Sequence, residues 1–217
     1  MVELWRNANG RLVIRATMNA ATTPQVWTYS ISLTGYVLVL ERGLWRMRMP
    51  AHPIEGILCE IEKALAAGLY HLAIVLAVTL PDVCAALESA DGRSNTPRYK
   101  AWFESNMATR FSNLTADDCF SLRCGVVHQG RFGLAGSQYE RAVFLLPNPQ
   151  GGRFRDCIMN DAYFYSADDF CREWLAGVRE WVSKKGTDPQ VAANSANLIR
   201  THPNGLSPYV KGAAVIA

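Results

Sequence analysis

The pattern of apolar residues predicts helices from residue 53 onward. Five apolar residues recur at intervals of three, four and seven, which places them along one side of a helix: Ile54, Ile57, Leu58, Ile61 and Leu65. Gly68 is expected to end or bend this helix. A second helix over residues 70–86 is apolar on most faces, which indicates a central position in a bundle. Pro81 predicts a kink or a division near its middle.

Two more helices complete a predicted four-helix array over residues 53–130. The third covers residues 99–111 and follows a loop-like stretch rich in Gly, Ser, Asn and Pro. Thr115 followed by Asp118 is a capping-box variant that opens the fourth helix. That helix is expected to reach about Gln129, because Gly130 is a natural terminator.

The last third of the chain predicts a hairpin, a final helix and a polar tail. Residues 141–146 and 155–165 are β-like and flank a stretch rich in Pro, Asn and Gly, which is typical of a β-hairpin or a looser two-stranded connection. Ser166 with Asp169 is expected to cap the final helix. The apolar stripe of that helix consists of Phe170, Trp174, Val178 and Trp181. The tail, residues 187–217, is expected to lie along the surface or to cross to a partner.

The first 50 residues have a different pattern, with short β-like runs separated by turn residues. They form a weakly β or poorly ordered N-terminal extension. Met47 and Met49 are also plausible translation starts, so this extension is either a small strand-rich appendage or an upstream addition to a shorter protein. The predicted fold class is mainly α: a helical domain over residues 51–186 with a hairpin and a C-terminal helix, plus the strand-rich segment before it.

Composition is that of a globular protein. The 217 residues are 49% hydrophobic and carry a formal charge of +3, which excludes collagen-like, coiled-coil and disordered chains. The first 50 residues hold six Arg against two acidic residues, so the rest of the chain is close to neutral. A nucleic-acid-binding face on the main body would therefore have to be local.

The cysteines and the longest apolar stretch favour a reduced, cytoplasmic protein. Six cysteines form no CxxC pair, and the residues after Met1 do not have the pattern of a signal peptide. The apolar stretch over residues 66–80 contains His71 and ends at Pro81 and Asp82, short of the roughly 20 apolar residues that span a membrane. It is interpreted as a buried helix, and no membrane association is expected.

Arg123 and His128 are the strongest candidates for chemistry. An imidazole with an ordinary pKa can take a proton from a ribose 2′-hydroxyl, and a guanidinium can hold the phosphate, so the pair could cleave RNA to a 2′,3′-cyclic phosphate without a metal. On an ideal helix, however, residues five apart lie about 7.5 Å apart along the axis and point about 140° away from each other. Convergence requires a bent helix, for which Gly125 is a candidate, a long reach by Arg123, or a second chain.

A purely structural interpretation stays open at this point. His128 in the last turn of a helix is also a favourable cap, with its ring near the negative end of the helix dipole. Arg123 could equally form a salt bridge with one of three acidic residues: Asp117, Asp118 or Glu88.

The run of residues 122–130, with Arg123 and His128 on a late helix behind the apolar helix of residues 68–88, resembles the HEPN superfamily. Members are small α-helical bundles marked by an Arg, four to six residues, and a His. Many are metal-independent endoribonucleases in toxin–antitoxin and other defence systems. The resemblance implies a homodimer in which the Arg and His of both chains form one RNA-cutting cleft, and it allows an antitoxin-type protein partner. The residue after the motif Arg is often polar in active members, and here it is Cys124. Some members have lost activity and serve as modules that bind RNA, a nucleotide or a protein.

Other residues are weaker candidates. Arg98, Tyr99, Lys100 and Gln129 are predicted to contact RNA, against the alternative that the third helix presents a solvated face with core aromatics. Asp82, Glu88 and Asp91 could line the same cleft. Cys124 and His128 are spaced as a metal-ligand or thiol–imidazole pair, but no second pair of ligands appears, so neither a metal nor an organic cofactor is implied. His71 is interpreted as a hydrogen-bonded core histidine.

Overall fold

The computed structural model describes residues 52–132, 138–148 and 150–217 with their side chains, and the backbone of five strands before them. The chain divides into two compact units, Met1–Ala51 and His52–Ala217. In the first unit, β1 (Val2–Arg6), β2 (Leu12–Met18) and β3 (Gln25–Ile31) form an antiparallel sheet. A separate hairpin joins β4 (Val37–Glu41) and β5 (Leu44–Arg48).

The second unit begins with two helices joined by a tight turn. Helix α1 (Glu55–Ala66) buries the predicted apolar side, and α2 (Tyr70–Glu88) follows almost at once. At Gly68 the backbone is left-handed, with φ of 73°. The Leu69 N–H donates to the carbonyl of Ala64 and the Gly68 N–H to that of Leu65, which is the Schellman ending that favours glycine at this position. The predicted end of the first helix is confirmed.

Pro81 does not divide α2, contrary to one of the two predicted outcomes. The helix runs as one element of 19 residues with Pro81 buried inside it. Proline removes one backbone hydrogen bond, but α2 packs against α1, α3, α4, α5 and α6, and this burial offsets the loss. Among the described residues α2 is also the one helix long and apolar enough to cross a membrane. Half of its apolar stretch is buried inside the unit.

Helices α3 (Thr96–Asn106) and α4 (Ala116–Cys124) complete the predicted array. Helix α3 starts three residues earlier than predicted, because the Asn95 side chain accepts the Arg98 N–H and caps it. It also ends earlier, and a 3-10 turn covers Ala108–Arg110. The predicted capping box at α4 is confirmed: Thr115 and Asp118 each accept the other's backbone N–H, at 3.1 and 3.0 Å.

The predicted hairpin between residues 141–146 and 155–165 is wrong. Strand β6 (Arg141–Leu145) pairs in parallel with β8 (Ala162–Ser166), and β7 (Cys157–Met159) pairs antiparallel with β8 on its other side. The true hairpin is β7–β8, which turns at Asn160 and Asp161, both with positive φ. Two such residues in succession are typical of the tight turn whose twist matches a hairpin.

Helix α5 (Ala167–Lys185) buries its predicted stripe, whose members Phe170, Trp174, Val178 and Trp181 are all buried. Ser166 stands at the predicted cap position, but its side chain does not cap the helix. Its hydroxyl oxygen accepts the Phe154 N–H at 3.1 Å instead, and so ties the start of α5 to the preceding loop. The mainly α fold class is confirmed in this unit.

The tail contains a short helix, α6 (Pro189–Ser195), and four two-residue strands. Strand β9 (Thr201–His202) pairs with β12 (Val215–Ile216), and β10 (Gly205–Leu206) pairs with β11 (Val210–Lys211). Its first part does not lie on the surface alone: Val191 is buried, and the Asn194 side-chain amide donates to the carbonyls of Leu87 and Ser89 at the end of α2.

Candidate functional site

The last turn of the fourth helix changes type at Gly125. Helix α4 ends at Cys124, and residues Gly125–Gln129 form one π-helical turn. The Gly130 N–H closes it by donating to the carbonyl of Gly125, five residues back. Gly130 is left-handed, with φ of 63°, and ends the helix as predicted. Single π turns of this kind occur often at functional sites.

This turn brings Arg123 and His128 together. Arg123 Nη1 and His128 Nε2 lie 3.1 Å apart, within hydrogen-bond distance. Five residues of ideal α-helix would have pointed the two side chains apart, but the wider π turn places residue i+5 close to residue i. A change in the helix at Gly125, one of the three predicted routes to convergence, is the one observed, and the contact lies within a single chain.

Asp82 on α2 holds the other side of the guanidinium. Arg123 Nε donates to Asp82 Oδ2 at 2.7 Å, and the two side chains are only 23% and 22% exposed. Burial by itself would lower the pKa of Arg123, but the charge and the hydrogen bond of Asp82 raise it above its usual value. The cation is therefore permanent, and it is held between a carboxylate and an imidazole.

None of the three acidic residues predicted as structural partners of Arg123 holds it. Asp117 pairs with Lys100, and Asp118 accepts from Thr115 and Gln138. Glu88 accepts the Trp181 indole N–H at 2.6 Å. The pairing with Asp82 joins α4 to a helix 41 residues earlier in the chain, and sequence spacing carries no signal for such a contact.

The contact defines the roles of the two imidazole nitrogens of His128. A guanidinium only donates, so His128 Nε2 accepts, and the neutral imidazole carries its proton on Nδ1. His128 and the next residue, Gln129, are exposed, whereas Arg123 is half-buried. The imidazole thus faces solvent beside a fixed cation, and a substrate can reach it directly.

The four residues predicted to contact RNA do not form one surface. Gln129 is exposed next to His128. Arg98 pairs with Asp91 at 2.6 Å, and Lys100, on a different side of α3, pairs with Asp117. Tyr99 is a correction: its side chain is fully buried, and its hydroxyl donates to the carbonyl of Val78 at 2.9 Å. Tyr99 therefore cannot stack on a base, and it belongs to the core.

Two further histidines lie away from this site, and one of them differs from expectation. His71 is exposed rather than in the core, and its ring packs edge-on against Phe132 at 5.5 Å between centroids. His52, which sequence reasoning missed, is partly buried and joins the start of α1 to α6. Its Nδ1 accepts the Ile54 N–H at 3.3 Å, and its Nε2 donates to Ser195 Oγ at 3.0 Å.

The His52–Ser195 pair resembles a catalytic dyad but cannot act as one. The Ser195 hydroxyl donates to the carbonyl of Val191 at 2.6 Å, so its oxygen accepts from His52 and has no base to activate it. Burial lowers the pKa of His52, while the charge of Glu55 raises it less. The pair is a structural link, and the acceptance of the Ile54 N–H by Nδ1 needs neutral His52.

Within residues 52–132, 138–148 and 150–217, no three His, Cys, Asp or Glu side chains converge as a metal site would require. Comparison of the chain with protein-family models, curated proteins and solved structures finds no match. The chemistry available at Arg123 and His128 is a proton acceptor next to a fixed cation, which suits proton transfer beside an anionic group.

Proposed function

We propose that this protein is a HEPN-like, metal-independent endoribonuclease. The observation that carries the proposal is the 3.1 Å contact between Arg123 and the exposed imidazole of His128, two residues whose spacing in the sequence resembles the motif of that superfamily. Arg123 is the phosphate-binding cation, His128 is the general acid and base, and Asp82 positions the guanidinium. The substrate is RNA, because the attacking group is the 2′-hydroxyl that DNA lacks.

The reaction begins when a phosphate oxygen of the RNA takes the Nη1 donor of Arg123 from His128. The freed Nε2 lone pair then accepts the proton of the 2′-hydroxyl, and the 2′-oxygen attacks phosphorus. The bond from phosphorus to the 5′-oxygen breaks, and that oxygen takes a proton from an imidazolium. The products are a 2′,3′-cyclic phosphate and a 5′-hydroxyl. Arg123 stabilises the charge that gathers on the phosphate oxygens.

The partner that completes the site is a second copy of the chain. His71 and Asp82 lie eleven residues apart on α2, and therefore about 16 Å apart along nearly the same side of the helix. The surface around His71 is thus on the same side of α2 as the Arg123 site. Around His71 an open cavity of about 510 Å³ is lined by apolar side chains. Leu69, Leu72 and Leu146, here called the Leu72 patch, are 53%, 51% and 64% exposed. Exposed apolar groups of this kind mark association surfaces.

A second candidate function is a dimeric module that binds RNA, a nucleotide or a protein without turnover. The observation that favours it is the hydrogen bond from Arg123 Nη1 to His128 Nε2, which occupies the lone pair that a general base needs, while the guanidinium, held by Asp82, keeps other N–H donors free for a phosphate. Cys124, at the position that is often polar in active HEPN members, points the same way. A toxin or defence role in the cytoplasm, opposed by an antitoxin-type protein, is the biological setting that the resemblance suggests.

The test uses purified protein, a mixed pool of labelled RNA and EDTA. We expect cleavage products with 2′,3′-cyclic phosphate ends, and a rate at least about 100-fold lower for His128→Ala. Arg123→Lys keeps the charge but loses the planar fork, and we expect it to be impaired as well. His202→Ala, a histidine in the tail, is the matched control and should cleave as the wild type does.

Two results would discriminate between the candidates. Saturable RNA binding with no cleavage at any pH between about 5 and 8 would favour the binding module, because an acid and base histidine should give a pH-dependent rate in that range. Equal cleavage by wild type and His128→Ala would overturn the ribonuclease proposal and point to a contaminating activity.

A further inference from the structure

A second cavity, of about 480 Å³, lies where the C-terminal parts of α2 and α5 meet α3, and it involves neither Arg123 nor His128. Its size falls within the range of small-molecule sites. On α3 the side chains of Arg98, Trp102 and Ser105 face it, at the spacing of one helix side. Helix α5 contributes Trp181 and two adjacent lysines.

The floor of this cavity is aromatic and apolar. The rings of Trp102 and Trp181 meet edge to face at 6.0 Å between centroids, and Ala85 and Ala101 lie beside them. Trp102 is 2% exposed, and its indole N–H has no hydrogen-bond partner within the described residues. The nitrogen is itself buried, so this N–H belongs to the core beneath the floor and does not open into the cavity.

The rim is basic, and its cations are not equivalent. Arg98 is paired with Asp91 at 2.6 Å and Lys184 with Glu180 at 2.7 Å. Lys185 has no ion pair among the described residues and is exposed. Of the three cations on the rim, Lys185 is thus the one without an anionic partner in the part of the chain that the structure describes.

Two negative groups of the surroundings already have hydrogen-bond partners within the protein, which reduces their opposition to an anion. Glu88, the acidic residue that lines the cavity, already accepts the Trp181 indole N–H at 2.6 Å. The carbonyls at the end of α2, which would repel an anion, accept hydrogen bonds from the Asn194 side chain. Both groups are satisfied within the protein and do not need a cationic ligand.

We infer that this cavity binds a small organic anion, with an aromatic or branched apolar body over Trp102, Trp181 and the two alanines. Its phosphate or carboxylate group lies against Lys185, with Arg98 and Lys184 beside it. The apolar floor favours a ligand with an organic body over a bare inorganic anion, and Lys185 favours an anionic ligand over a neutral one. The inference holds whether or not the protein cleaves RNA.

The probe is phenyl phosphate, titrated into the full chain and followed by calorimetry, with inorganic phosphate and phenol as the two half-ligands. We expect saturable binding of phenyl phosphate and benzoate, tighter than that of either half-ligand. Lys185→Gln should weaken it about tenfold, the effect of one charge-assisted hydrogen bond. Lys211→Gln removes another exposed lysine, one with no ion pair in the described part of the chain, and it should leave the affinity unchanged.

A second variant blocks the cavity without changing charge. Ala101 is exposed on the wall, so Ala101→Leu should abolish binding while leaving the melting temperature close to that of the wild type. Absence of saturable phenyl phosphate binding by the wild type would overturn the inference. Equal weakening by Lys185→Gln and Lys211→Gln would also overturn it, because it would mean non-specific attraction to surface charge.

Discussion

Asp82 and Arg123 form an ion pair whose contribution to the free energy of unfolding depends on its partial burial. Both side chains are less than a quarter exposed, so removing one charge leaves the other poorly solvated. We expect Asp82→Asn to lower the free energy of unfolding by about 1–3 kcal/mol. The same change should slow RNA cleavage, because the guanidinium loses the contact that orients it. Urea unfolding followed by tryptophan fluorescence measures the first effect.

The matched control is Asp91→Asn, which breaks a more exposed Asp–Arg contact, that with Arg98. Asp91 is 54% exposed, and exposed pairs contribute little. Its loss should change stability much less and leave cleavage intact. Equal effects of the two substitutions would mean that the site pair has no special role in holding Arg123.

For single elements, the sequence predicted helices better than it predicted how they end or pair. The capping box of Thr115 and Asp118 and the terminator Gly130 were readable, because each is a local rule. The π turn was not, since a spacing of five residues is interpreted with α-helical geometry. Asn160 and Asp161 carried a usable hairpin signal that was missed, whereas the parallel pairing of β6 with β8 left no trace in either strand.

His52 links two elements, the start of α1 and helix α6, and it does so as a neutral ring. Burial lowers its pKa in the folded protein, so between that value and about 6.5 the unfolded chain binds more protons. Stability from this link is therefore fully present above about pH 6.5 and decreases as the pH falls below it. We expect a lower urea midpoint at about pH 5.5 than at about pH 7.5.

The His52→Asn variant tests the origin of this pH dependence. The asparagine oxygen can accept the Ile54 N–H as Nδ1 does, but the side chain does not titrate. We expect the difference between the two midpoints to shrink. His202→Gln removes a histidine of the tail and should keep the wild-type difference. A difference unchanged in His52→Asn would assign the pH dependence to other groups.

At the scale of the whole unit, the candidate site depends on contacts that join distant parts of the chain. The apolar pattern predicted that α2 is central, and its packing against five other helices confirms this. The sequence named Asp82 and Glu88 of α2 as candidates to line the cleft but did not distinguish between them, and only Asp82 contacts Arg123. Asp82 meets Arg123 because of how two helices cross, and that depends on the summed packing of the core rather than on either segment's sequence.

The proposed homodimer makes a prediction about the Leu72 patch. If a second copy covers it, a charge at its centre must be buried without a partner, which opposes association. We expect wild-type protein to be a dimer by light scattering and Leu72→Lys to be a monomer with unchanged circular dichroism. Ile199→Lys places the same charge on a residue 65% exposed in the tail and should remain dimeric. Because Leu72→Lys no longer forms the dimer, we expect it to cleave RNA more slowly than the wild type, although its Arg123 and His128 are intact. A monomeric wild type that still cleaves RNA would show instead that the intrachain contact of these two residues is sufficient.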